Sequence, residues 1–321
     1  MTELESIMAG TFVDEYAAPL FIAWQLNSEC NLQCLHCCEE AGSVFPDRMS
    51  REQMLEACRQ FVEAEIPYVA LSGGEPLMCP EFWDVCEYLR THHVSVKIET
   101  NGEMIDAEVA GRLGRMNLRS VQISLDGATA KAHEDLRKNG DYDKVIRACE
   151  LLRAEGANLE IVFVPTRFNI DDVAQAVDLA ASLGAYGFYT GKLMRIGRAA
   201  RNWELLCASQ QQYEQFFETL EQKTQQYQGK MKVFCYPYDV IEELRYRLTT
   251  PSASLLVLPN GKVKLIGPLP FICGDLRVST LDEIWRQYKR AWKDPRVVEH
   301  GRRVVENPAV VVEANNWISL Q

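Results

Sequence analysis

Phe21-Ile22-Ala23-Trp24-Gln25-Leu26, followed after a short turn by Cys30-Asn31-Leu32-Gln33-Cys34-Leu35-His36-Cys37, is the stretch that decides how the chain folds. The first run is apolar and β-rich, which predicts a strand. The second sets three thiols in a C-x3-C-x2-C pattern on the loop just beyond it. Thiolates are soft donors suited to iron–sulfur cores, and three is one short of the set used by a fully protein-held four-iron cube. The loop therefore predicts a cube with one reactive iron left open. The plain alternative is a set of buried core cysteines, since free Cys is among the most buried residue types.

Outward from this loop, short β-rich runs alternate with amphipathic stretches, the pattern of a parallel sheet covered by helices. Strands are predicted at Phe21–Leu26, Tyr68–Leu71, Val94–Glu99, Ser120–Ser124, Leu159–Val164 and Gly187–Tyr189, with helices at Arg51–Ala64, Glu81–His92, Asp106–Met116, Tyr142–Glu155 and Ile170–Leu183. The first helix is opened by the capping box Ser50-x-x-Gln53. The fold class is α/β, a partial (β/α)6 parallel barrel with a small C-terminal α+β extension. In such a fold the loops after the strands share one face, and distant residues meet there. Ser72-Gly73-Gly74-Glu75-Pro76, Thr100-Asn101-Gly102 and Ser124-Leu125-Asp126-Gly127 all fall at those loops.

Beyond Gly197 the composition changes. Ser209 to Gln226 is rich in Gln and Glu, with Tyr213, Phe216, Phe217 and Leu220 at helical spacing. Leu255–Leu258 and Lys262–Ile266 flank Pro259-Asn260-Gly261 as a hairpin, and Thr280-x-x-Glu283 caps a further helix. The expected organisation is an N-terminal extension over 1–19, the barrel over 20–200 and a C-terminal region over 201–321.

Bulk composition narrows the function classes. Across 321 residues, 47% hydrophobic and 25% charged content is ordinary for a globular enzyme. No apolar run approaches the roughly 20 residues a bilayer span requires, and no secretory signal opens the chain, so a cytoplasmic protein without membrane attachment is expected. Eleven cysteines in such a chain read as reduced thiols and metal ligands rather than disulfides. A net charge of −11 argues against a nucleic-acid partner, whose phosphates would call for Lys and Arg.

Asn31 and Leu32 after the first Cys, and His36 before the last, make the loop resemble the signature of the radical S-adenosylmethionine (radical SAM) enzymes. Gly73-Gly74-Glu75-Pro76, about 36 residues past the loop, is similar to that family's motif for the methionine amino group. Glu99-Thr100-Asn101-Gly102, Gln122-Ile123-Ser124-Leu125-Asp126-Gly127 and Gly197-Arg198-Ala199 extend the resemblance over residues 20 to about 200. They point to the branch of the pyrroloquinoline-quinone, mycofactocin and haem maturases and the peptide-modifying enzymes. The tail resembles that branch's auxiliary-cluster domain in outline, at Leu258-Pro259-Asn260-Gly261-Lys262-Val263, Gly274-Asp275-Leu276 and Leu281-x-x-Ile284-Trp285. Its ligands are largely missing: Ser252 and Ser254 stand where a Cys would be expected, and no C-x2-C pair follows residue 149.

The resemblance implies one 4Fe-4S cluster on Cys30, Cys34 and Cys37, and SAM at the open iron, cleaved by one electron to a 5′-deoxyadenosyl radical that abstracts hydrogen from a substrate. Gly73, Gly74, Glu75 and Pro76 would serve the SAM amino group. Asn101 and Ser124 offer amide and hydroxyl groups for its ribose or carboxylate. Arg137 offers a planar fork for a carboxylate. For each of these the alternative is a turn residue or an ion pair, and Asp126 reads as a strand-end cap for Gly127. Cys235 and Cys207 are candidate hydrogen-atom donors, against burial as small hydrophobes. Tyr189, Lys192, Arg195 and Arg198 are set to line the mouth or to be surface and core residues. The expected partners are a peptide or small-molecule substrate and a one-electron reductant such as flavodoxin or ferredoxin. Maturation of a peptide-derived natural product is the leading expectation. Modification of a tetrapyrrole side chain, nucleoside or sugar is the alternative, and an iron–sulfur scaffold or electron carrier that does not cleave SAM is a third, of another class.

Overall fold

The computed structural model describes residues 13–42 and 47–320. Its frame is one 11-stranded sheet in the order β11-β10-β9-β8-β1-β2-β3-β4-β5-β6-β7. β1 (Phe21–Gln25), β2 (Tyr68–Ser72), β3 (Ser95–Thr100), β4 (Ser120–Ser124), β5 (Leu159–Val162) and β6 (Gly187–Gly191) are the six expected strands, each parallel to the next. β7 (Lys232–Tyr236) adds a parallel strand beside β6 that periodicity did not reveal. Its five residues follow a Gln-rich helix after a short turn and carry no alternation.

The helices between them follow from their caps and apolar faces. α1 (Arg51–Glu63) starts at the Ser50/Gln53 capping box and buries Met54, Ala57, Cys58 and Phe61. Phe61 meets Trp24 of β1 edge to face, with centroids 5.4 Å apart. α2 (Phe82–Thr91), α3 (Ala107–Arg115), α4 (Ala130–Glu134), α5 (Tyr142–Ala154) and α6 (Val173–Ser182) continue the alternation. α7 (Gly197–Arg201) and α8 (Trp203–Leu206) form a short double turn before α9 (Gln210–Gln226), whose Ser209 cap is again a capping box.

The C-terminal hairpin does not stand apart from this sheet. β8 (Ser254–Val257) lies parallel to β1 on the side away from β2, with Ala23 opposite Leu256, so β1 is an interior strand. β9 (Lys262–Lys264) returns antiparallel, β10 (Phe271–Asp275) pairs with β9, and β11 (Ile318–Ser319) closes the row. Among the described residues β7 and β11 do not pair, so the sheet curves as an open barrel. α10 (Val240–Arg247), α11 (Leu281–Ala291) and α12 (Pro295–Glu306) pack around this end.

The two faces of the sheet differ. Ile22, Trp24, Val96, Ile98, Val121, Ile123 and Phe188 lie against helices and are fully buried, which places the core there. On the other face Ala23, Ser95, Lys97, Glu99, Ser124, Val162 and Tyr189 are half-buried. Parallel strands covered on both sides read as continuous apolar runs. The alternation in Ser95-Val96-Lys97-Ile98-Glu99-Thr100 therefore marks an inner face that stays wet.

Candidate active site

The cysteine loop leaves β1 and is braced from two sides by backbone. Gln33 and Leu35 donate their N–H groups to the carbonyls of Lys138 (3.0 Å) and Leu136 (2.9 Å). Arg198 donates its own N–H to Cys37 O (2.9 Å), its Nε to Cys34 O (3.0 Å) and its Nη1 to Ala41 O (2.7 Å), and Asn202 Nδ2 bonds Leu35 O (2.9 Å). Gly197 sits at φ +58, and a Cβ there would fall 2.2 Å from Cys38 O, so only glycine lets this turn press on the loop. Arg198, a candidate for the mouth or for a surface or core position, is therefore a brace of the loop.

Three thiols meet this preformed frame. Cys34 is buried, Cys30 and Cys37 are half-buried, and all are free. Donors surround the sulfurs: Leu32 N–H lies 3.4 Å and Asn101 Nδ2 3.9 Å from Cys30 Sγ, and Arg137 Nη1 lies 3.7 Å from Cys34 Sγ. Burial raises the Cys30 thiol and pushes Cys34 up to about 11, with Arg137 opposing the latter. Thiolates here call for a positive partner, which iron supplies. Among the described residues no three His, Cys, Asp or Glu groups close on a point that one ion could fill. Three thiolates leave tetrahedral zinc one ligand short, whereas a cube takes each thiolate at a different corner. Asn27 Oδ1, Glu29 Oε2 and His36 Nδ1, all near this loop, are buried without a hydrogen-bond partner among the described residues. The residues present fit an iron–sulfur cluster with a polar ligand beside it.

Gly73 and Gly74 seat the β2 loop on the β1 loop. A Cβ at Gly74 would lie 2.1 Å from Glu29 O, and one at Gly73, which sits at φ +143, would lie 2.5 Å from Asn27 O. Gly74 N–H and Glu75 N–H bond Asn27 O (2.9 Å) and Glu29 O (2.7 Å). Glu75 is fully buried, and Pro76 opens a single 3-10 turn behind it. The Glu75 carboxylate accepts from Thr100 Oγ1 (2.7 Å), Leu77 N–H (3.1 Å) and Asn101 N–H (2.9 Å). Burial raises its pKa, with those three bonds opposing. Its side chain thus ties the end of β3 to the end of β2. Asn101 in turn bonds Asn31 Oδ1 of the cysteine loop through Nδ2 (2.8 Å).

Asp126 is the hub beyond β4. Fully buried, it accepts from Arg137 Nε (2.7 Å), from Val164 N–H (2.9 Å) and from His36 Nε2 (3.0 Å). Burial works against its charge, but Arg137 and then His36 hold the carboxyl well below its ordinary range. The reading of Asp126 as a mere cap for Gly127 is corrected here: its charge joins the cysteine loop, β4 and the segment after β5. Arg137, offered as a fork for a ligand carboxylate, has its carboxylate inside the protein and turns its other arm toward Cys34. His133, four residues before Arg137 and fully buried, accepts from Asp126 N–H (3.2 Å). The one sequence signal for this network is that i,i+4 spacing on a helical turn.

Ser124 stands half-buried at the end of β4 on the inner face, and its hydroxyl has no protein hydrogen bond among the described residues. Tyr189 shares that face: its row neighbour is Val162, itself opposite Ser124. Lys97 pairs with Glu160 (2.9 Å) and approaches Glu99 (3.7 Å), whose side chain remains 42% exposed. Protein around the concavity still raises the Glu99 pKa, with Lys97 opposing. The structure does not bring Cys235 to this group. Cys235 pairs with Thr190, one residue out of phase with Tyr189 and Phe234, and so lies on the helix-packed face. Cys207 lies in the turn after α8 with its Sγ 3.4 Å from Ala208 O. Lys192 is paired with Glu242 (2.9 Å), and Arg195 stacks over Trp203 (4.9 Å).

Residues 25–180 match the radical SAM superfamily. Mycofactocin maturase MftC of Mycobacterium tuberculosis is 37% identical over 207 residues, covering 64% of this chain and 53% of that protein. The chain thus spans about half the length of the curated maturases it matches. An AdoMet-dependent heme synthase of Methanosarcina barkeri is 26% identical over 305 residues, covering 87% of this chain and 86% of that protein. Among solved structures, Streptococcus suis SuiB bound to S-adenosylmethionine superposes with a TM-score of 0.68 at 14% identity over 89% of this chain and 68% of that one. Native anSMEcpe with bound AdoMet does so at 0.66 and 20% identity, over 85% of this chain and 82% of that one. Those two likenesses establish the open parallel fold. With the three-thiol loop braced at the strand ends and the match over residues 25–180, the chain carries a radical SAM domain and belongs to the radical SAM superfamily.

Proposed function

We propose that this chain is a single-cluster radical SAM enzyme that abstracts hydrogen from a substrate held in the concavity of the open barrel, in the maturation of a peptide-derived natural product. The observation that carries the reading is the loop itself: three free thiols on a backbone braced by Arg198, Asn202 and the 136–138 segment, with donors directed at two of the sulfurs. When bound, the cluster supplies an electron that cleaves the SAM sulfonium and so starts radical chemistry. Cys30, Cys34 and Cys37 hold it. The Gly73–Pro76 turn, Asn101 and Ser124 would hold SAM, with Glu75 fixing two of the strand-end loops against each other. Arg137 and Asp126 lock the cysteine loop and keep a positive charge beside Cys34. One cluster fits the tail, where Cys273 is buried with its Sγ 3.4 Å from Val263 O and Cys207 and Cys235 lie on other elements.

The peptide reading is supported by the 37% identity to a mycofactocin maturase. A second reading, modification of a tetrapyrrole or other small molecule, is favoured by the heme synthase that matches along most of both chains. A flavodoxin or ferredoxin would deliver the electron.

Anaerobic reconstitution tests the chemistry. About four irons per chain are expected, near none in a Cys30/Cys34/Cys37→Ala variant, and 5′-deoxyadenosine only from the wild type with SAM and dithionite. About eight irons, with about four surviving in the variant, would replace the single-cluster reading with a two-cluster one. Iron without deoxyadenosine would favour a scaffold. Absence of affinity for any short peptide encoded beside this chain would favour the small-molecule reading.

A further inference from the structure

The two turns that brace the cysteine loop, α7 and α8, also have an outer side. Leu35, between Cys34 and Cys37, and Trp203 of α8 pack against one small core of Leu136, Leu193, Ala199 and Leu206, separate from that of the sheet. Arg198 and Asn202 reach the loop carbonyls from the same turns, so α7 and α8 cover the loop as one layer. The rim of that layer is apolar. Leu205 is 47% exposed, and Phe168, on the turn after β5, is 48% exposed. The fold brings these turns together, since Arg167 donates its N–H to Leu206 O (2.8 Å) and its Nε to Cys207 O (3.1 Å). Single exposed apolar side chains are ordinary, but two large ones meeting beside a half-buried tryptophan make a patch.

Charge here runs against the rest of the chain. The protein carries −11 overall, yet between Asp178 and Glu204 stand four cations, Lys192, Arg195, Arg198 and Arg201, and no carboxylate. Lys192 is paired with Glu242 (2.9 Å) and Arg201 with Glu40 (2.7 Å), while Arg198 is engaged by the loop carbonyls. Arg195 and Arg167 keep their charge for the surface: among the described residues neither has a carboxylate at ion-pair distance. Arg195 lies flat over Trp203 (4.9 Å), and Arg167 is held by the Cys207 carbonyl. Glu204 is the single carboxylate on the two turns. An apolar centre flanked by arginines is the composition of a protein-binding patch, and cations set apart on an acidic chain favour an acidic partner.

We propose that the outer side of α7 and α8, with Phe168 and Arg167 beside it, is the face on which a small acidic one-electron carrier protein docks to reduce the cluster. One layer of side chains and two hydrogen bonds, Arg198 Nε to Cys34 O and Asn202 Nδ2 to Leu35 O, join this face to the loop. The carrier is oxidised by one electron and the cluster reduced by one, and no bond or proton moves. Electron-transfer encounters bury little area, on the order of 1,200 Å² or less, and charge steers them, so a patch of this kind suffices. The inference rests on the radical SAM reading, which supplies the need for the electron.

Flavodoxin and a ferredoxin, two acidic carriers, are each titrated into the reconstituted full chain by isothermal calorimetry at low and at high salt. Binding of at least one is expected, at least tenfold weaker at high salt. An Arg167→Glu, Arg195→Glu double variant should weaken it at least tenfold at low salt. In stopped flow, the same variant should slow the loss of cluster absorbance on mixing with the photoreduced carrier. Its reduction by dithionite, which needs no docking face, should match the wild type. Glu204→Lys should tighten binding. Arg286→Glu with Arg290→Glu, the same change of net charge on exposed positions of α11, should leave both readouts unchanged. The proposal is overturned by a wild type that binds neither carrier, by binding indifferent to salt, or by equal losses in the two double variants. Failure of the underlying reading shows separately, as wild-type protein without iron or, with dithionite and SAM, without 5′-deoxyadenosine.

Discussion

The cysteine-loop end and the C-terminal end of the sheet carry buried charge in opposite ways. Around the loop, Asp126 is enclosed by Arg137, His36 and a backbone N–H, and Glu75 by three donors from neighbouring strand ends. At the hairpin, Lys264 meets two neutral oxygens and a cavity. In the first, both carboxylates are completely partnered within the protein and serve to hold geometry. In the second, the ammonium has two neutral acceptors and faces a cavity. Buried polar networks that are fully satisfied make a site rigid, while an unpaired buried polar group is costly.

Breaking the complete end should have the largest effect. Asp126→Ala leaves Arg137 buried without its counter-charge and is expected to destabilise the fold by about 3–5 kcal/mol, read by urea unfolding, and to reduce the iron retained per chain. A midpoint within experimental error of the wild type would show that Asp126 is no hub. Glu75→Gln keeps the shape but places an NH2 against donors, with an expected cost of about 1–3 kcal/mol. The 5′-deoxyadenosine rate should fall with it, because the ends of β2 and β3 lose their tie. Unchanged stability would mean that these loops are fixed by backbone alone.

His133 gives the comparison a pH axis. Burial, with Arg137 adding to it, lowers His133 to about 4, against an ordinary 6.5. The unfolded chain binds that proton first, so the contribution to stability is complete above about pH 6.5 and is lost as pH falls toward 4, at no more than about 1.4 kcal/mol per pH unit. His133→Gln should flatten that slope in unfolding midpoints taken between pH 7 and 4. The smallest effect is expected at the other end: Thr280→Ala removes the capping box that starts α11 and should cost about 1 kcal/mol while leaving the iron count intact. Iron loss in that variant would mean the two ends are coupled more tightly than their separate networks imply.

The barrel half was legible because its strands alternate with amphipathic helices, capped at Ser50, Asp106 and Asp141, and both periodicities show in one sequence window. The loops with Cys30, Gly73 and Asn101 were legible for the same reason, since a motif at a strand end has a fixed place in the fold. Arg137 and Asp126 were legible as charges but not as a pair, because their contact depends on how a turn of helix folds back over β4. β7 was missed for want of alternation. Cys235 could not be assigned a face, since that depends on its register against Thr190. Lys264 carries no signal in the sequence beyond its place in the hairpin. Only the strand order, which sets β9 two places from a strand formed more than two hundred residues earlier, turns it inward.

That strand order also bears on how the chain comes off the ribosome. β1 is made first, yet its second neighbour, β8, emerges only after the whole barrel half, since Phe21 pairs with Ser254. Until then β1 presents an unpaired edge with the nascent cysteine loop beside it, the kind of surface that recruits another chain's strand. Contacts so remote in sequence form slowly. A truncation ahead of Ser254 would freeze that exposure, so aggregation rather than mere inactivity is the outcome that this architecture builds into its own synthesis.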